Sequence, residues 1–140
     1  MKLPFQTTRR VEFRDTDAAG IVHFSMFFAY MEEAEHAMLR ELGLNVILKM
    51  RDQTISWPRV AASCDFRKPA RFEDELVVTV RVKRIGEKSV TYGFEFQLDE
   101  SLIAEGSLTA ACCRVDGDDA PHAVAIPSEI ADKLKVAGSD

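Results

Sequence analysis

At 140 residues, with 46% hydrophobic and 29% charged side chains, the chain reads as one soluble domain over residues 1–140. That length buries roughly two thirds of the surface an unfolded chain exposes. A net charge of −5 argues against a broad nucleic-acid footprint, while leaving room for local cations that meet one phosphorylated small molecule. Met1–Gln6 lacks the apolar core of a signal peptide, and no segment is long enough to span a membrane. Cys64, Cys112 and Cys113 are odd in number. The adjacent pair would point to opposite faces of a strand, so all three read as reduced thiols of a cytoplasmic protein.

In chain order, residues 7–14 alternate, with Val11 and Phe13 on one face and Arg10, Glu12 and Arg14 on the other, which predicts a half-buried strand. A loop of small residues follows over 15–24. From Ser25 to Leu42, Phe27, Met31, Ala34, Met38 and Leu42 recur at steps of four and three. Glu32, Glu33, Glu35, His36, Arg40 and Glu41 fill much of the other side, and Gly43 is placed to end this one long helix. Four strand patterns come next. Val60, Ala62, Cys64 and Phe66 form an apolar row behind Trp57-Pro58, and Leu76, Val78, Val80 and Val82 form another. Val90, Tyr92, Phe94, Phe96 and Leu98 follow a turn at Gly86-Glu87. Asp99-Glu100 then leads into a strand over 103–115, closed by Asp116-Gly117-Asp118-Asp119. A short helix is expected from Pro127-Ser128, carrying Ile130 and Leu134. Strands joined by tight turns pair antiparallel, and a helix apolar on one side buries that side on the sheet. The expected class is α+β, a five-stranded antiparallel sheet wrapped around one long helix.

Chemistry concentrates in Asp15-Thr16-Asp17-Ala18-Ala19-Gly20-Ile21-Val22-His23-Phe24, just ahead of that helix. A carboxylate in such a loop can face a backbone amide at the helix start, giving a base or nucleophile opposite an anion-stabilising donor. The spacing alone favours the plainer reading, two aspartates that only shape a turn. A hard cation between Asp15 and Asp17 is a third option, but no further ligand cluster supports it, and no metal or other cofactor is expected.

The order Asp-Thr-Asp-Ala-Ala-Gly-Ile-Val-His-Phe, followed by an aromatic-rich helix with Glu32-Glu33-Ala34, resembles the 4-hydroxybenzoyl-CoA thioesterase branch of the hot-dog superfamily. The resemblance extends through Trp57-Pro58, Ser63-Cys64, the turn Pro69–Asp74, Gly86 with Lys88-Ser89, and Ala104-Glu105-Gly106. It implies a hot-dog fold, an acyl-CoA substrate, and two subunits joined sheet edge to edge with active sites at their interface, often within a tetramer. It also puts the catalytic carboxylate on Asp17 and the oxyanion donor on the backbone N–H of Phe24. A thioester has a good leaving group, so Asp17 could attack directly or activate water. Asp15 is expected to anchor the loop, and Gly20 to permit a turn that a Cβ would obstruct.

His23-Phe24 departs from the Tyr-His order of some relatives, so a water-activating histidine is not carried over. His23 has two readings, lining the acyl pocket or filling space beside the loop. His36 reads as a solvated neighbour of Glu32, and His122 as a loop residue without a partner. By the same resemblance Lys88 and the Trp57-Pro58-Arg59 segment lie along the substrate channel. Lys88, then Arg59 and Arg84, are the expected phosphate contacts, and Trp57 a cover for the acyl group, against the plainer reading of solvated turns and strand-edge packing. Cys64 reads as a core side chain rather than a nucleophile. Hydrolysis of an acyl carrier protein thioester, a hot-dog hydratase, and a non-catalytic acyl-CoA-binding module are the rival functions.

Overall fold

The computed structural model describes residues 1–115 and 120–138. The expected turn Asp116–Asp119 lies outside the described residues. β1 runs Phe5–Arg10, shorter than the alternation suggested. Beyond Arg10 the chain leaves the strand, because the Asp15 carboxylate accepts the Glu12 N–H at 3.0 Å and the Asp15 N–H returns to the Glu12 carbonyl at 2.9 Å. A local side chain thus outcompetes ladder pairing and closes a 3-10 turn over Phe13–Asp15. The expected shared face is lost: Val11 is fully buried, whereas Phe13 is 75% exposed.

α1 spans Met26–Glu41 and buries Phe27, Met31, Ala34 and Met38 as their spacing required. It stops in a paired C-terminal cap. The Gly43 N–H bonds the Arg40 carbonyl at 3.0 Å and the Leu44 N–H bonds the Leu39 carbonyl at 2.7 Å, with Gly43 at φ 75°. Glu35, expected among the solvated residues, is instead buried. His36 is half-buried, its Nε2 3.8 Å from the Glu35 carboxylate.

β2 (Leu48–Met50) and β3 (Gln53–Ser56) form a short hairpin that the sequence pattern did not announce. β4 (Arg59–Phe66), β5 (Glu75–Ile85), β6 (Ser89–Leu98) and β7 (Ser101–Ala111) follow. With β1 they make an antiparallel sheet in the order β1-β5-β6-β7-β4. The expected strand over 103–115 is broken at Cys112, whose N–H bonds the Lys88 carbonyl at 2.7 Å and whose carbonyl takes the Val124 N–H at 2.9 Å. The chain then passes to β8 (Cys113–Val115) and β9 (His122–Ala123), which join β2 and β3 in a second sheet of order β2-β3-β8-β9. His122 therefore sits in a strand pair with Arg114, not in a loop.

α2 (Ser128–Ala137) buries Ile130, Leu134 and Ala137, and packs on β5. The architecture is α+β as expected, with the expected short helix docked on the sheet and an unforeseen second sheet added. One apolar cluster joins α1, α2 and the inner rows Leu76-Val78-Val80 and Val90-Tyr92-Phe94-Phe96. β4 differs from the other long strands. It lies at the sheet edge, and Val60 and Phe66, expected in an inward row, are 63% and 48% exposed.

Candidate active site

The loop ahead of α1 is a small closed hairpin. Thr16 bridges Val22, the Asp17 N–H bonds the Ile21 carbonyl at 2.9 Å, and the Gly20 N–H bonds the Asp17 carbonyl at 2.9 Å. The Asp17 carboxylate accepts the Ala19 N–H at 2.9 Å, which leaves the half-buried side chain further acceptor capacity. Gly20 is needed here for its φ of 80°. A Cβ would meet nothing within 4 Å, so the expected obstruction is absent and conformation alone favours glycine.

The start of α1 explains why one amide stands apart. Its first turn is tight, with Met26, Phe27 and Phe28 N–H groups bonding the His23, Phe24 and Ser25 carbonyls at 2.9, 3.3 and 3.2 Å. The Ser25 N–H reaches His23 Nδ1 at 3.3 Å, and the His23 N–H takes the Asp15 carbonyl at 2.9 Å. Among the described residues, the Phe24 N–H makes no hydrogen bond. Because the His23 carbonyl is drawn to Met26, the trans peptide turns the Phe24 N–H the opposite way.

Asp17, Ile21, Val22, Phe24 and Phe27 form one side of a cavity of about 460 Å³, and Phe66, Arg67, Lys68, Pro69 and Ala70 form the other. The Val22 N–H to Ala70 carbonyl bond, 2.8 Å, clamps the two sides. Phe66 stands edge-on to Phe24 at 6.4 Å and tilted against Phe27 at 5.5 Å, while Phe24 is 60% exposed. The result is an aromatic trough with a carboxylate at its side. A smaller hollow of about 280 Å³ lies along β4 near Arg59, between Phe28, Met31 and Ala62.

Of the residues expected at a site, Asp17, Phe24 and the Gly20 turn are brought together. His23 is exposed, stacked on Phe24 at 4.7 Å and bonded through Nδ1 to Ser25 Oγ at 2.8 Å, and it is not part of the cavity wall. Trp57 is buried in the core cluster. Arg59 is half-buried and ion-paired with Glu35 and with Glu32, the latter at 3.2 Å. Burial pushes the Glu35 carboxyl above its ordinary range, against the lowering effect of Arg59.

Arg84 and Lys88 are exposed at the β5–β6 hairpin. Register puts that hairpin at the Arg59 end of β4 and Asp17 at the Phe66 end. Those ends are about 23 Å apart along an extended strand.

Phe27, Phe66, Arg67 and Lys68 are wall residues whose part was not foreseen. Phe27 opens the stripe of α1 and is buried as that stripe required, whereas Phe66 closes the row of β4 and is exposed. The two cations were visible only as a charged turn. Arg67 bonds Glu105 at 2.6 Å and Lys68 bonds Ser101 at 3.3 Å. Cys64 is half-buried, with its thiol pushed up to about 11 by burial and by Asp65 and Glu105. Among the described residues, no three His, Cys, Asp or Glu side chains gather as a metal site, and no helix is long and apolar enough to cross a membrane.

A helix seated on an antiparallel sheet is the hot-dog arrangement of thioesterase-like proteins, and the named relatives of this chain make it a thioester hydrolase. The chain belongs to the thioesterase-like superfamily, whose family model matches residues 11–134. It is 34% identical over 98 residues to a 1,4-dihydroxy-2-naphthoyl-CoA hydrolase of Trichodesmium erythraeum, covering 70% of this chain and 71% of that one. Among solved structures it is similar to a protein of Aquifex aeolicus, with a TM-score of 0.84 and 30% identity over 94% of this chain and 99% of that one. A gentisyl-coenzyme A thioesterase aligns with a TM-score of 0.80 and 30% identity over 93% of this chain and 99% of the other.

Proposed function

We propose that the protein is an acyl-CoA thioesterase of the 4-hydroxybenzoyl-CoA thioesterase branch, with Asp17 as nucleophile or general base and the Phe24 N–H as oxyanion donor. The observation that supports this reading is that one aromatic trough is lined both by half-buried Asp17 and by Phe24, whose helix-start N–H is left without an acceptor. In this reading the thioester carbonyl points at Phe24. Asp17 either attacks the carbonyl carbon or removes a proton from a water above it. Both routes collect charge on the carbonyl oxygen, and losing one such donor costs on the order of 10²–10³ in rate. The rings of Phe24, Phe27 and Phe66 favour an aromatic acyl group, the kind named for the naphthoyl-CoA hydrolase and the gentisyl-CoA thioesterase.

The working unit in this proposal is a dimer through β4, with a tetramer above it. A two-fold pairing of one edge strand with its copy is antiparallel, so the Arg59 end of one subunit comes beside the Phe66 end of its partner. That arrangement would bring a partner's Arg84 and Lys88 toward the trough and the coenzyme phosphates, and would cover Val60 and Phe66. The free thiols Cys64, Cys112 and Cys113 support a cytoplasmic setting.

Thiol release from a panel of short, long and aromatic acyl-CoAs tests the reading. Release is expected from the wild type, and from Asp17→Asn at a rate lower by about 10² or more. Enoyl-CoA hydration without thiol release, or a fully active Asp17→Asn protein, overturns it.

A further inference from the structure

Asp15 is fully buried and two residues from Asp17, yet it faces away from the trough into a cluster of its own. Its Oδ2 accepts from Tyr30 Oη at 2.9 Å, from the Glu12 N–H at 3.0 Å and from Arg9 Nη1 at 3.1 Å. Its other carboxylate oxygen is buried without a partner, so the orientation of the group depends on that single three-donor grip. Arg9 is itself fixed, with Nε 2.7 Å from Glu33 and the guanidinium 4.7 Å from the centre of the Tyr30 ring. Burial, then the bond to Asp15, raises the Tyr30 hydroxyl pKa, so it stays a donor throughout the working range.

The backbone of Asp15 links this cluster to the site. Its carbonyl holds the His23 N–H at 2.9 Å, one residue before the Phe24 amide, while Thr16 bridges Val22 on the Asp17 side. A tilt at Asp15 therefore shifts both Asp17 and Phe24. Tyr30 reaches the trough by a second path, since its ring stands edge-on to Phe27 at 5.7 Å.

On the thioesterase reading above, we propose that Asp15, gripped by Tyr30 and Arg9, is a positioning residue that sets Asp17 against the Phe24 N–H. β1 and α1 hold the loop from outside, and no member of the cluster touches substrate.

The test uses Tyr30→Phe, which keeps the ring and removes only the donor, and Arg9→Gln as a second variant in case the first folds poorly. Thr91→Val is the control: it removes the 2.8 Å bond to Thr109 on the sheet's outer face, remote from the trough. For the acyl-CoA turned over fastest in the panel, kcat of Tyr30→Phe should fall about tenfold at unchanged KM, since misplacement by about 1 Å is worth up to about 10². Amide exchange at His23 and Asp17 should rise about tenfold while β6 amides keep their protection. Thr91→Val should leave kcat and loop exchange unchanged. Unchanged kcat and loop exchange in both cluster variants, or a rise in KM alone, overturns the proposal. Should the wild type hydrolyse no thioester in the panel, the functional reading falls by itself, and loop exchange alone decides whether the cluster positions the loop.

Discussion

The two edges of the main sheet are built alike on the inside and oppositely on the outside. Each sends one arginine to an acid on α1: Arg9 of β1 reaches Glu33, and Arg59 of β4 reaches Glu32 and Glu35. Their solvent rows differ. β1 exposes Gln6, Thr8 and Arg10, whereas β4 exposes Val60, Ala61, Ala62 and Phe66 among others. Charged and polar edges discourage pairing, and a flat apolar edge invites it. β4 thus exposes more apolar side chain than β1, beside the exposed Ser63 and Asp65, and the aromatic trough opens at its Phe66 end; in the proposed dimer β4 is the edge that pairs.

The sharpest way to break that picture is at the trough. Asp17→Asn should lower thiol release by about 10²–10⁴ while circular dichroism shows an intact fold. Next comes the edge itself. Val60→Lys on β4 should weaken self-association by about 2 kcal/mol or more and drive the protein toward monomers in light scattering. The mirror change Thr8→Lys on β1 should leave the mass unchanged, and equal effects at both edges would erase the distinction.

The arginine ties offer a third handle. Glu35→Ala strands a half-buried guanidinium and should cost about 3 kcal/mol in urea unfolding, although Glu32 remains near. A smaller signature is in pH. The Glu35 pKa is raised above its unfolded value of 4.5, so the folded state holds that proton more tightly. Stability from this group is greatest below about 4.5 and falls as pH rises through the folded pKa, and Glu35→Gln should flatten that slope. The smallest effect belongs to Cys64. With its thiol pushed up to about 11, alkylation near pH 8 should be slow, and Cys64→Ser should leave turnover within about twofold.

Much of this was legible in the chain because burial follows period. The inner rows of β5 and β6 and the stripe of α1 are apolar at every expected step, and Gly43 stops the helix where expected. Asp17 drew notice through the family resemblance of its motif, since the small residues around it, just before a helix, suit a plain turn as well. Where a side chain finds a distant partner, periodicity is silent. Glu35 looked solvated because its pattern carries no trace of Arg59, which arrives from 24 residues later. Val11 and Phe13 alternate like a strand, but the Asp15 carboxylate folds that stretch into a turn. Phe66 looked buried because alternation cannot tell an inward row from an exposed apolar one.

Gly106 on β7 has a reach beyond its own strand. A Cβ there would stand 2.6 Å from Met31 Sδ and 3.0 Å from the Ser63 carbonyl oxygen. Met31 is one wall of the hollow beside Arg59, so a single methyl at 106 would displace the thioether, and that hollow is the free space beside it. The volume beside β4 is in this sense metered by an atom the chain omits. Gly106→Ala would act as a plug inserted from behind, narrowing the space beside β4 from a position outside the trough's lining.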